Sequence, residues 1–187
     1  MRLFIAIELS DEVRSALAEV QRSLHRWSSM VRWIEPAQLH MTLKFLGEVA
    51  EEKAAAISEA LVRAAGAVAT FELSLAECGC FPPRGQVRIV WVGAKDETGR
   101  LISLVENIER ETEEPGFVRE NRPFSPHLTV GRVREDASGG KVREAVQAAK
   151  VTPVSQRISQ VTLMCSRLSP KGSSYSVVSR ARLSAGS

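Results

Sequence analysis

Apolar and polar positions alternate along "HMTLKF", a two-residue rhythm that sets His40, Thr42 and Lys44 on one side of a strand and Met41, Leu43 and Phe45 on the other. The rhythm returns in "HLTV", where His127 and Thr129 stand opposite Leu128 and Val130. Similar short apolar or alternating runs predict strands over "RLFIAIEL", "VRWI", "LHMTLKFLG", "FELSLAECGCF", "QVRIVWVGA" and "HLTVGRVRE". The tail "SQVTLMCSRLSPKGSSYSVVSRARL" reads as a hairpin joined through "SPKGSS".

Between these strands the period lengthens. Val13, Leu17, Val20 and Leu24 recur at helical spacing in "DEVRSALAEVQRSLHRW", a helix that Ser10 can cap. "EEKAAAISEALVRAAG", "ETGRLISLVENIERETEE" and "GGKVREAVQAAK" predict three more helices, the first closed by a glycine stop and the last opened by a glycine pair. Strand pairs separated by helices do not alternate as a doubly wound parallel sheet requires. They favour an α+β fold with helices outside and two sheets facing one another. Each half carries a motif strand and a following helix, and the motifs lie about half the chain apart. A bilobal, pseudo-two-fold arrangement would therefore bring His40 and His127 to opposite sides of a central cleft. No low-complexity linker interrupts residues 1–187, so a single bilobal domain is expected.

A hydrophobic content of 44% in 187 residues suffices for a sizeable core without disulfides. Cys78, Cys80 and Cys165 are odd in number and form no CxxC pair, which points to a reduced compartment. The opening apolar run, Leu3 to Ile7, is too short for a signal segment or a membrane span, so a cytoplasmic protein without membrane association is expected. The balance of 25 basic against 22 acidic residues permits an anionic ligand, but no polybasic arm is present.

The chemistry lies in the pair of motifs. One imidazole can be neutral and take a proton from water while the other is protonated and gives one to a leaving oxygen. Thr42 and Thr129 can donate to phosphoryl oxygens as charge develops there. Phosphodiester cleavage needs this set and no covalent intermediate. A single His-x-Thr in a strand has an ordinary structural explanation; two copies among only three histidines do not, and His25, beside Leu24, reads as a surface residue. Neither motif carries a carboxylate or thiol at ligand spacing, and no nucleotide-binding G-x-x-x-x-G-K-[ST] loop or acyl-transfer G-x-S-x-G elbow is present, so neither metal nor cofactor is expected. Further groove candidates are Lys44, on the His40 face, Arg88, and the rings of Phe4 and Tyr175, which can stack on a base, although Phe4 reads more readily as a core residue. Arg132 offers a fork of donors to phosphate, but strict alternation sets it opposite His127, so a bulge or twist is needed.

These motifs, with "RLFIAIEL", "WIEPAQLHMTLKFLGEV", "RIVWVGA", "FSPHLTVGRV" and "SRLSPKGSSYSVV" around them, resemble the 2H phosphoesterase superfamily, and more narrowly the RNA 2',3'-cyclic phosphodiesterases also known as 2'-5' RNA ligases. The resemblance covers almost the whole chain. It implies a bilobal α+β fold whose two antiparallel sheets line a cleft, and metal-independent hydrolysis of a terminal ribose 2',3'-cyclic phosphate to a 2'-phosphomonoester. It further implies His40 as proton donor to the departing 3'-oxygen, His127 as the base that activates water, and Thr42 and Thr129 as phosphate ligands. Joining of RNA ends through a 2'-5' linkage without ATP is the reverse use of the same geometry. The expected partner is RNA with a 2',3'-cyclic phosphate end, tRNA halves among the candidates, met by a monomer. The competing readings are a 2H enzyme acting on a small cyclic nucleotide and a non-catalytic module that binds RNA-end phosphate.

Overall fold

The odd residues of the first strand, Leu3, Ile5 and Ile7, are almost wholly buried in the main core. The even residues Phe4 and Ala6 pack with Met164 in a small second cluster on the opposite face. This strand is thus covered on both sides, as its nearly unbroken apolar run requires. In the computed structural model, which describes residues 1–169 and 172–185, it is β1 (Arg2–Glu8). There follow α1 (Asp11–Ser23), β2 (Val31–Trp33), β3 (His40–Glu48), α2 (Ala54–Gly66), β4 (Phe71–Phe81), β5 (Ile89–Lys95), α3 (Arg100–Glu111), β6 (His127–Val133), α4 (Lys141–Ala148), β7 (Ser155–Ile158), β8 (Gln160–Ser169) and β9 (Gly172–Arg182).

The strands form a four-stranded sheet, β3-β1-β8-β9, and a five-stranded sheet, β2-β6-β5-β4-β7. Their pairings are antiparallel. The two motif strands hold equivalent places: β3 pairs with β1, β6 pairs with β5, and each begins at its histidine. Where the sheets meet, β3 and β6 come together. Gln156 of β7 ties the sheets elsewhere, donating to the Glu8 carbonyl at 2.9 Å and accepting the Ser10 N–H at 2.9 Å. The helices cover the outer faces, α2 against β8 and β9, α4 against β4 and α1 against β6. The expected α+β architecture is thus present.

Two local expectations shift, and a third lies partly outside the described residues. The first helix stops at Ser23 and gives way to a 3-10 turn over His25–Trp27. Ser10 caps it as anticipated, accepting the Val13 N–H at 3.2 Å. Strand β7 is an addition: only Ile158 of its four residues is buried, so its sequence carries little apolar rhythm. The C-terminal hairpin forms, but residues 170–171 of its expected "SPKGSS" connection lie outside the described residues.

The departures that matter most are two bulges. In β3, Thr42 pairs with Ala6 and Lys44 with Ile5, so Leu43 is the extra residue. In β6, Thr129 pairs with Trp91 and Gly131 with Val90, so Val130 is the extra one. Both extra residues occupy the fourth position of the His-x-Thr-apolar motif. An extra residue reverses the alternation that follows it. Positions four and five are accordingly both buried, Leu43 with Lys44 and Val130 with Gly131, whereas position six, Phe45 or Arg132, is exposed.

Candidate active site

Each motif histidine is oriented by the chain just before its strand. The Nδ1 of His40 lies 2.7 Å from the Gln38 carbonyl oxygen, and the Nδ1 of His127 lies 2.7 Å from the Ser125 carbonyl oxygen. A carbonyl can only accept, so both Nδ1 atoms carry a proton and both Nε2 atoms are left to take or give one. Aromatic rings set the ring planes. Tyr175 meets His40 edge-on at 5.0 Å between centroids and Phe4 lies 4.9 Å away. Phe81 meets His127 edge-on at 5.0 Å, with Trp91 behind at 6.4 Å. Trp91 in turn lies over Gly79, where a Cβ would fall 2.2 Å from the indole, so only glycine fits beneath it.

His40, Thr42, His127 and Thr129 line one groove of about 1870 Å³. Arg88, Arg132 and Tyr175 line it as well. The bulge resolves the difficulty with Arg132, turning it to the side of His127 and Thr129. Its positive charge reaches His40, whose pKa is held below the usual 6.5. Burial of the ring is the larger cause and Arg132 adds to it, against the opposing pull of the Gln38 carbonyl.

Lys44 and Phe4 also border the groove, Lys44 from a different face than alternation gives and Phe4 in the core position that its sequence favours. Lys44 does not share the exposed face of His40 and Thr42, because the Leu43 bulge carries it inward. It is 7% exposed, ion-paired with Glu109, and donates to the Val118 carbonyl at 2.9 Å. Phe4 is 2% exposed, wedged among His40, Phe45 and Tyr175, so it backs the site and offers no open face to a base. The ring that does so is Phe45, 69% exposed on the groove and 6.1 Å from Phe4. Regular alternation had put Phe45 among the buried residues; the paired apolar neighbours Leu43 and Leu46 around "KF" are the trace of the bulge that moves it out.

A third wall went unread in the sequence. Helix α3 and residues 118–125 border the groove, including Glu106, Arg119 and Arg122. Glu109 ties this segment down by accepting the Glu120 N–H at 3.1 Å. Among the described residues no group of three or more His, Cys, Asp or Glu side chains is disposed to hold a metal ion. Burial pushes the Cys78 and Cys80 thiols up to about 11, which leaves them protonated and unreactive near neutrality.

The sequence pattern of the 2'-5' RNA ligase superfamily matches residues 9–168. An RNA 2',3'-cyclic phosphodiesterase of Methanothermobacter thermautotrophicus is 34% identical over 177 residues, which cover 94% of this chain and 95% of that protein. Among solved structures, a Thermus thermophilus protein superposes with a TM-score of 0.80 at 32% identity over 99% of both chains. The apo form of E. coli LigT does so with a TM-score of 0.77 at 30% identity, over 98% of this chain and 97% of that one.

Proposed function

The chain belongs to the 2'-5' RNA ligase superfamily, and from that membership we propose that it hydrolyses the 2',3'-cyclic phosphate at an RNA end to a 2'-phosphomonoester. The observation that carries the reading is the matched pair of imidazoles, each with Nδ1 tied to a carbonyl two residues earlier and with no hydrogen-bond partner on Nε2 among the described residues, lining one groove. In the reaction, the Nε2 of His127 takes a proton from water as the water oxygen bonds to phosphorus. The bond from phosphorus to the 3'-oxygen breaks, and the Nε2 of His40 delivers a proton to that oxygen. Thr42, Thr129 and Arg132 hold the non-bridging oxygens as negative charge grows on them. Run in reverse with an RNA 5'-hydroxyl in place of water, the two histidines exchange roles and a 2'-5' linkage forms without ATP.

Two features favour RNA over a small cyclic nucleotide. A groove of about 1870 Å³ exceeds the roughly 300–1,000 Å³ of small-molecule sites. The open Phe45 ring supplies a stacking surface for a nucleobase. Products of tRNA cleavage that end in a cyclic phosphate fit this description.

The test is turnover of an end-labelled oligonucleotide bearing a terminal 2',3'-cyclic phosphate, with chelator present and the product mapped as 2'- or 3'-phosphate. A 2'-phosphate with a free 3'-hydroxyl is expected. His40→Ala and His127→Ala should each lower kcat by roughly 10²–10⁴-fold with folding intact. Binding without any product under single-turnover conditions would instead identify a phosphate-binding module, and activity that chelator abolishes and zinc restores would defeat the mechanism.

A further inference from the structure

A buried amide on α1 reaches the back of the second motif. Gln21 is 8% exposed, and its Nε2 donates to the Ile34 carbonyl at 2.7 Å and to the Val130 carbonyl at 2.9 Å. Val130 is the extra residue of the β6 bulge. Its carbonyl also accepts the Ile34 N–H at 3.0 Å, so both of its lone pairs are engaged. The following residue, Gly131, has no room for a side chain: a Cβ there would fall 2.7 Å from Val31 and 2.9 Å from Trp33. The bulge is thus clamped from behind by Gln21 and β2. Without it, Arg132 would point to the side of Leu128 and Val130, which are 1% and 0% exposed.

We propose that Gln21 is a positioning residue for the reaction: its amide pins the Val130 bulge and thereby holds the Arg132 guanidinium in the groove beside the two histidines. The proposal rests on the cyclic phosphodiesterase reading. The first motif has a corresponding device, since the residue after its bulge, Lys44, is held from behind by Glu109 and the Val118 carbonyl. A buried amide bonded to two carbonyls also contributes to stability, so a test must read Arg132 and not folding alone.

Gln21→Met keeps the length and apolar contacts of the side chain and removes both donors. Gln21→Asn keeps the amide but withdraws it by one methylene, and carries the same comparison should the first variant fail to fold. Both are assayed alone and in an Arg132→Gln background, with thermal melts alongside. Displacing Arg132 should lower kcat/KM by on the order of 10²-fold, as small misplacements in an active site do. In the Arg132→Gln background the same change should add less than about twofold, because the two residues act through one contact.

A second readout is the pH profile. His40 is faced by Arg132 from β6, Tyr175 from β9 and Phe4 from β1, with the Gln38 carbonyl on its Nδ1, and its register partner Glu8 on β1 is ion-paired to Arg180 of β9. Withdrawing the guanidinium removes a like charge, so the limb of the kcat/KM profile governed by His40 should move to higher pH in the Gln21 variants, toward its position in Arg132→Gln. A folded Gln21 variant with wild-type rate and profile would overturn the proposal, as would losses that multiply in the Arg132→Gln background. Absence of any wild-type turnover would defeat the functional reading itself, a separate outcome that the first assay records.

Discussion

His40 and His127 are held alike and surrounded differently. Each offers Nε2 to the groove; the pKa of His40 is lowered by burial of its ring and, in addition, by the Arg132 guanidinium. In the proposed reaction His40 is the general acid and must be protonated in the free enzyme, so kcat/KM should fall as pH rises through its lowered pKa. The Arg132→Gln variant, freed of the like charge, should carry that alkaline limb to higher pH; measured pH-rate profiles of the two proteins check this. Movement of the acid limb instead would make His40 the base. The phosphate anion opposes both causes once bound, so the alkaline limb of kcat should lie above that of kcat/KM. The motif residues themselves were legible from sequence because the types and spacing recur. The faces of Lys44, Phe45 and Arg132 were not, since period-two reasoning assumes an unbroken ladder. Arg132 was the exception in part: the need for a bulge could be stated from its position, but nothing local showed that one was there.

At the level of the element, the β3 bulge sends a lysine into the interior, where only an ionic partner makes it tolerable. Lys44 and Glu109 have side chains 5% and 12% exposed, and the pair fastens the segment that leads into β6. Lys44→Met should destabilise the fold by roughly 3–5 kcal/mol, because it leaves the Glu109 carboxylate buried without its partner. The double variant Lys44→Met/Glu109→Leu should recover much of that loss; denaturant or thermal unfolding of the three proteins measures both. The elements with strong rhythm were read closely, β4 to the residue and α3 within a few positions of each end. Strand β7 was missed for a physical reason, as a short edge strand buries one residue and so leaves almost no pattern.

Across the whole molecule, the helices, strands and α+β class followed from periodicity, whereas the order of strands within the sheets did not. β1 lies between β3 and β8, partners drawn from opposite ends of the chain, and such pairing has no local signature. The groove between the sheets should show its preference for a polymer through salt. For an oligonucleotide, log kcat/KM at subsaturating substrate should fall with log salt by about 0.7 for each phosphate engaged, and a cyclic mononucleotide should show a shallower slope. Equal slopes for both substrates would confine recognition to the terminal phosphate.

The position of β1 also has a consequence for biosynthesis. On leaving the ribosome β1 can pair with β3 early, but its other edge waits for β8, which begins at Gln160. A nascent chain halted after β7 would carry the second histidine in a complete five-stranded sheet and the first on a bare two-stranded ribbon, a structure of marginal stability in water. Chains arrested there should be cleaved by protease within β1 and β3 while β2 and the segment from β4 to β7 resist, so that catalytic competence is among the last properties translation confers.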